Sequence, residues 1–276
     1  MKILYIAEIV GKAGIYALKK CLPEIIKEKK PDFIIACGDG ATGGNGLGRN
    51  HAAYIRKLGV NVITTGDFCF HKKDLTGNLS QIPYVLRPAN LNIEAPGQGS
   101  RIFTVNMEGN AGREKKIAVL NLLGQSGFTR LHGNNPYSGL NAVLERLGRE
   151  TKYIIIDFHA QATAEKQTFF AMADSNCSSI IGSHTRVQTA DEKIMKGGTA
   201  IITDAGRTGS AESVGGCNIE SRIQEYVSGI QDWTKESWEK PELQGVFIRL
   251  GEDGKALSIE RIRKEAEIDM DRHKEK

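Results

Sequence analysis

Short runs of β-branched and apolar residues recur along this chain, and segments with helical periodicity separate several of them. The runs are at residues 3–7, 33–37, 61–65, 116–121, 153–157, 179–182 and 200–203. The helical patterns cover residues 14–30, 48–58, 138–149 and 160–173. Because buried parallel strands read as continuous apolar runs and their crossovers as helices, this alternation predicts an α/β fold.

Three other segments alternate apolar and polar residues, which is typical of antiparallel strands. They are at residues 101–106, 245–250 and 257–262. The sequence GEDGK at residues 251–255 is suited to a tight turn between the last two. We therefore expect a layered α/β sandwich with mixed sheets instead of a barrel.

The chain has 276 residues and no Pro- or Ser-rich linker, so we expect one domain over residues 1–265 and a charged tail over 266–276. Its net charge of +4 comes partly from runs of mixed sign, and nucleic acid is not implied. No apolar run reaches the length of a membrane span, which favours a cytoplasmic protein without membrane contact. The five cysteines are widely separated, so most are expected to be buried thiols.

Polar side chains stand where the predicted parallel strands end. Glu8, Asp39, Asp67, His159 and His184 each follow or terminate an apolar run. Ligands in open α/β sheets bind beyond the carboxyl ends of the strands. Carboxylates and imidazoles are ligands of borderline divalent cations such as Zn, Mn or Fe, so five of them at one edge indicate a metal site. Taken singly, Asp39 or Asp67 is better explained as a turn or helix cap.

The segments that carry these strand ends also carry a family resemblance. The motifs are LRPANL (86–91), DFHAQATAEK (157–166), GSHTRVQTAD (182–191) and GGTAIITDAGRTG (197–209). With them, the sequence resembles the YmdB-like family of calcineurin-like metallophosphoesterases from residue 2 to about residue 262. The resemblance implies a four-layer α/β/β/α sandwich, two metals at the strand ends and phosphodiesterase activity that includes cyclic nucleotides.

The sequence departs from the family pattern at the residues that the resemblance assigns to chemistry. His159 and His184 match family ligands, whereas Glu8 stands where the family has Asp, Asp39 where it has Glu and Asp67 where it has Asn. Gln161 replaces an acid. Phe68 stands in place of the family's general acid, a histidine, and Arg186 in place of a histidine ligand.

These departures affect the two implied metal positions unequally. Asp39, Asp67, His159 and His184 match the ligands of one metal and can all still coordinate a cation. Glu8, Asp39 and Arg186 match the ligands of the other, and a guanidinium cannot coordinate a metal. We therefore expect one divalent transition metal (Fe, Mn or Zn) per chain, or none.

Two hypotheses explain Arg186. In the first, its fixed charge occupies the second cation position and pairs with Glu8, with a phosphate contact as a further use. In the second, it merely fills space and forms a salt bridge at a decayed site. His71, three residues after Phe68, is a candidate substitute for the missing general acid, although FHKKD is more typical of an exposed helix start.

The sequence is compatible with three functions. The favoured one is a pseudoenzyme with a regulatory or ligand-binding role, its ligand being a phosphate-containing small molecule. A scaffold that forms homo-oligomers or binds a protein partner ranks with it. The alternative is an active metal-dependent phosphodiesterase that acts on cyclic nucleotides or related phosphodiesters.

Overall fold

The structure is a computed structural model that describes residues 1–106, 114–129, 131–230 and 235–268. Its strands are β1 (Lys2–Ile6), β2 (Glu8–Ile9), β3 (Phe33–Cys37), β4 (Val62–Thr64), β5 (Val85–Leu86), β6 (Ser100–Asn106), β7 (Glu114–Leu123), β8 (Ile154–His159), β9 (Ser179–Ser183), β10 (Lys193–Ile194), β11 (Ala200–Ile202), β12 (Arg207–Ser210), β13 (Pro241–Leu250) and β14 (Ala256–Glu265). Its helices are α1 (Gly11–Lys29), α2 (Arg49–Lys57), α3 (Lys73–Thr76), α4 (Leu140–Gly148), α5 (Thr163–Ala173) and α6 (Ile219–Ser228). Most of the predicted tail lies outside the described residues.

Both sheets are mixed, as the sequence predicts. The eight-stranded sheet has the order β2-β12-β13-β1-β3-β4-β5, and β14 pairs with β13. Strands β1, β3, β4 and β5 are parallel, whereas β13 runs antiparallel to β1 and β14. The six-stranded sheet has the order β10-β11-β9-β8-β7-β6, with a parallel centre and antiparallel strands at both edges.

Alternating side chains of the central strands divide the apolar core into layers. Ile3 and Tyr5 of β1 face the other sheet, where they belong to a cluster that includes Ile155. Leu4 and Ile6 point to the opposite side and pack in a cluster with residues of α1 and α2. On the outer face of the second sheet, a further cluster joins β8 to α4 and α5. The layers therefore run α/β/β/α, and the predicted four-layer sandwich is confirmed.

The cysteines are free thiols, as expected from their spacing. Cys21, Cys37, Cys69 and Cys177 are buried, and Cys217 is half-buried. None of the described helices combines the length and the apolar composition that a bilayer span requires.

Candidate functional site

The carboxyl ends of strands from both sheets meet at one edge of the sandwich. Glu8 begins β2, Asp39 follows β3 and Asp67 follows β4 of the first sheet, while His159 ends β8 and His184 follows β9 of the second. Asp67 Oδ1 lies 3.0 Å from His159 Nε2 and 3.3 Å from His184 Nδ1. The structure thus brings together side chains that are far apart in sequence and belong to different sheets.

Asp67, His159 and His184 form a group whose donor atoms all lie within 4.8 Å of one another. One carboxylate and two imidazoles at this spacing fit a divalent transition metal. Asp39 borders the group, with its Oδ2 3.7 Å from His159 Nε2. The Asp39 carboxylate also accepts hydrogen bonds from the backbone N–H groups of Gly66 (2.5 Å) and Phe68 (3.2 Å). Asp39 thereby stabilises the turn that carries Asp67.

The electrostatics of this group favour a cation. Burial alone would raise the pKa of Asp67, but hydrogen bonds from His159 and His184 outweigh it and hold that pKa well below its ordinary value. Burial opposes a charged imidazole at His159, yet the neighbouring Asp67 and Asp39 raise its pKa to about 9. Burial raises the pKa of Asp39 to about 7. A metal-free site therefore carries protons that a divalent cation would displace.

Glu8, Cys37 and His159 form a second group of donor atoms with the same spacing. All three side chains are buried, and Oε2 of Glu8 has no hydrogen-bond partner among the described residues. Burial and the nearby carboxylates raise the pKa of the Cys37 thiol well above its ordinary value. Because the thiolate and not the thiol is the metal ligand, this group is the weaker of the two candidates.

Arg186 pairs with Glu8, a contact that agrees with both hypotheses for this arginine. Its Nε and Nη2 lie 2.9 and 2.7 Å from Glu8 Oε1. Nη2 also donates to the carbonyl of Gly44 (2.8 Å) and Nη1 to that of Gly215 (3.1 Å). The Glu8 side chain is 1 % exposed and that of Arg186 15 %, so this ion pair is largely withdrawn from water.

Glycine at position 40 leaves room for this pair. A Cβ there would lie 3.0 Å from both Arg186 Nη2 and Glu8 Oε1, which is tighter than ordinary packing.

The turn that carries His184 and Arg186 is strained. The two residues have φ of 96° and 60°, a region that non-glycine residues rarely adopt. Asp204 stabilises this turn by accepting a hydrogen bond from the Thr185 N–H at 2.9 Å. Asp204 is itself held by a fully buried ion pair with Lys166 (2.8 Å).

Two aromatic side chains border the candidate ligands. The rings of Phe68 and His71 meet edge-on with their centroids 5.6 Å apart. Phe68, which replaces the implied general acid, thus packs against His71, the candidate substitute for that acid. The Phe128 ring stacks on that of His159, with centroids 6.0 Å apart, and meets that of His184 edge-on, with centroids 4.9 Å apart. No sequence pattern marks Phe128, because it lies in an irregular loop whose residues show no periodicity.

The chain is similar in sequence to proteins described as phosphodiesterases. A Bacillus subtilis protein named 2',3'-cyclic-nucleotide 2'-phosphodiesterase is 34% identical over 263 residues, which cover 95% of this chain and 96% of that protein.

Solved structures show the same likeness over nearly the full length. A crystal structure described as a novel phosphatase from Mycoplasma pneumoniae has a TM-score of 0.88 at 32% identity and covers 97% of this chain and 94% of its own. A hypothetical protein from Thermus thermophilus has a TM-score of 0.86 at 25% identity, covering 97% of this chain and 100% of its own. The sequence model of the YmdB-like protein family matches residues 4–262. This chain therefore belongs to the YmdB-like family.

Proposed function

We propose that this chain is a catalytically impaired phosphodiesterase-fold protein that holds at most one divalent cation and serves a regulatory or ligand-binding role. The observation that carries the proposal is the Arg186–Glu8 ion pair. The resemblance places a second cation between these two positions. A guanidinium there supplies one positive charge, but unlike a metal ion it cannot accept a lone pair from a ligand or from water.

The formal charges of the site support one cation and not two. Among the side chains that face the cation position, Glu8, Asp39 and Asp67 contribute three negative charges and Arg186 one positive charge, which leaves two negative charges when the imidazoles are neutral. A single divalent cation neutralises that sum. A second one would add two uncompensated positive charges in a buried site, which is strongly unfavourable.

The hydrogen bonds of Arg186 favour charge replacement over a phosphate clamp. A guanidinium has five N–H donors. Glu8 accepts two of them, and the carbonyls of Gly44 and Gly215 accept one each. One donor remains, so Arg186 cannot make the paired contacts by which arginine recognises a phosphate.

The residues of the chain also explain why turnover would be low. A bound cation would act as a Lewis acid on a phosphoryl oxygen and lower the pKa of a water. Asp39, Asp67, His159 and His184 would hold it. Phe68 has no proton to give to a leaving group, and the absence of a positioned general acid costs about 10²–10⁴-fold in rate.

A regulatory or assembly role is supported by one surface helix. Helix α6 has no buried residue, and it exposes Ile219, Ile223, Tyr226 and Val227 at helical spacing along one side. We propose that a phosphate-containing small molecule is the ligand of the site and that α6 contributes to binding a protein partner or a second copy of the chain.

A second candidate is an active phosphodiesterase on 2',3'-cyclic nucleotides. It is supported by the name of the B. subtilis relative and by the group of Asp67, His159 and His184, with Asp39 beside it.

Hydrolysis assays separate the two candidates. Purified chain is supplied with Mn²⁺, Fe²⁺ or Zn²⁺ and given 2',3'-cyclic AMP and a chromogenic phosphodiester. We expect a rate close to that of the His159→Gln variant, because that substitution removes a ligand from a site that turns over little. Cation-dependent turnover that the wild-type chain shows and His159→Gln loses would instead establish the active enzyme.

A further inference from the structure

A buried carboxylate lies beneath the site and accepts hydrogen bonds from hydroxyl groups of both sheets. Asp157 of β8 is 1 % exposed. It accepts hydrogen bonds from the Tyr5 hydroxyl (2.7 Å), the Ser183 hydroxyl (2.7 Å) and the Thr64 hydroxyl. Burial raises the pKa of Asp157, but three hydroxyl donors converging on one carboxyl group oppose that effect and favour its ionised form, which can only accept.

This arrangement determines where the proton of Ser183 points. A serine hydroxyl has one proton, and here it is donated to Asp157. Ser183 Oγ also lies 3.0 Å from His159 Nδ1. Since its proton is committed to Asp157, Ser183 can only accept from His159, and Nδ1 must carry a proton.

The opposite nitrogen of the ring is thereby left open toward the site. In the metal-free site Nε2 also carries a proton, which Asp67 accepts in a hydrogen bond. When alkali or a cation removes that proton, Nδ1 keeps its own and Nε2 carries the lone pair. Nε2 is the atom that lies 3.0 Å from Asp67 Oδ1 and 3.7 Å from Asp39 Oδ2. It is therefore the nitrogen aimed at the place where the donor groups converge.

We propose that Ser183 and Asp157 are positioning residues that fix the His159 tautomer and make Nε2 a cation ligand. The inference rests on the proposed single-cation site, in which His159 is a ligand. Hydrogen-bond partners behind a metal-binding histidine fix its tautomer and orientation, and their loss typically weakens metal affinity about 10–100-fold. A change of the orienting carboxylate to an amide is known to select the wrong histidine tautomer in serine proteases.

The tautomer is read directly by long-range ¹H–¹⁵N NMR of the imidazoles in the full chain, with His159→Gln used to assign the His159 signals. The spectra are recorded on metal-free protein at alkaline pH and on protein loaded with Zn²⁺ alone. We expect the Nδ1–H form in the metal-free protein and the same protonated nitrogen with Nε2 bound when zinc is present. An Nε2–H tautomer in the wild-type chain would overturn the inference.

Zinc affinity in matched variants tests the role of the hydroxyl. Ser183→Ala is expected to raise the Kd for Zn²⁺ about 10–100-fold, and Ser183→Thr, which keeps a hydroxyl, to recover most of that loss. Ser179→Ala is the control, because Ser179 lies buried in the same strand and its hydroxyl has no hydrogen-bond partner in the described part of the chain. Asp157→Asn should shift the population toward Nε2–H, because an amide can donate to Ser183.

The outcomes separate this inference from the proposed function. An Nδ1–H tautomer in a chain that binds no zinc would retain the positioning of His159 and refute the cation site. Zinc binding that is equal in Ser183→Ala and Ser179→Ala would refute the positioning role and leave the cation site standing.

Discussion

Replacing Arg186 with alanine is expected to lower the free energy of unfolding by about 3–5 kcal/mol in metal-free protein. The substitution leaves Glu8 buried without its Arg186 counter-ion and removes the donors to Glu8 Oε1 and to the carbonyls of Gly44 and Gly215. Urea denaturation followed by circular dichroism measures the change.

A divalent cation should reverse part of this loss. If Arg186 stands in for a cation, Mn²⁺ or Zn²⁺ will stabilise Arg186→Ala more than the wild-type chain, because binding to the folded state alone shifts the unfolding equilibrium.

The matched control is Arg261→Ala. The side chain of Arg261 is 40 % exposed and pairs with Glu192 at 2.8 Å, so its loss should cost about 0–1 kcal/mol. A cost for Arg186→Ala as small as that of the control would contradict the idea that Arg186 neutralises a buried carboxylate.

The triple variant Glu8→Asp, Phe68→His and Arg186→His is expected to hydrolyse a chromogenic phosphodiester about 10²–10⁴-fold faster than the wild-type chain when Mn²⁺ is supplied. It restores a proton donor and replaces the guanidinium with a ligand. It also shortens the side chain at residue 8 by one methylene. Together the three changes restore the residues that the family pattern has at these positions.

The double variant Phe68→His and Arg186→His is the control for this prediction. It should recover little, because the Glu8 carboxylate is still displaced by one methylene from the position that the pattern implies. A triple variant that folds and gains no activity would show that the impairment lies elsewhere in the site.

The convergence of the site was predictable because parallel strands put their last residues at one edge. The apolar runs identified β3, β8 and β9, and the polar residues after them identified Asp39, His159 and His184. The pairing of Arg186 with Glu8 followed from the resemblance and from the fixed charge of a guanidinium, and the structure has these two side chains in contact.

Other parts could not be read from the sequence. Strands β2, β5 and β10 have only two residues each, which is too short for any period to show. Strand β12, with the sequence RTGS, is buried but mostly polar, so it does not resemble a core strand. Helix α6 has no buried side chain, so its apolar residues do not mark a face that packs against the core.

The hydrogen bonds behind the site were also out of reach of sequence patterns. Tyr5 and Asp157 are 152 positions apart and belong to different sheets. Their contact depends on how the two sheets stack, which no local periodicity encodes. The buried pair of Lys166 and Asp204 is of the same kind, because it joins a helix to the end of a strand in the second sheet.

The number of metal ions per chain tests the central claim most directly. Elemental mass spectrometry of the wild-type protein, purified without chelator after supply of Mn²⁺, Fe²⁺ and Zn²⁺, gives this number. If the Arg186 guanidinium takes the place of the second cation, as we propose, the protein will hold one ion per chain or none. Two ions per chain would contradict the proposal that Arg186 has replaced a metal.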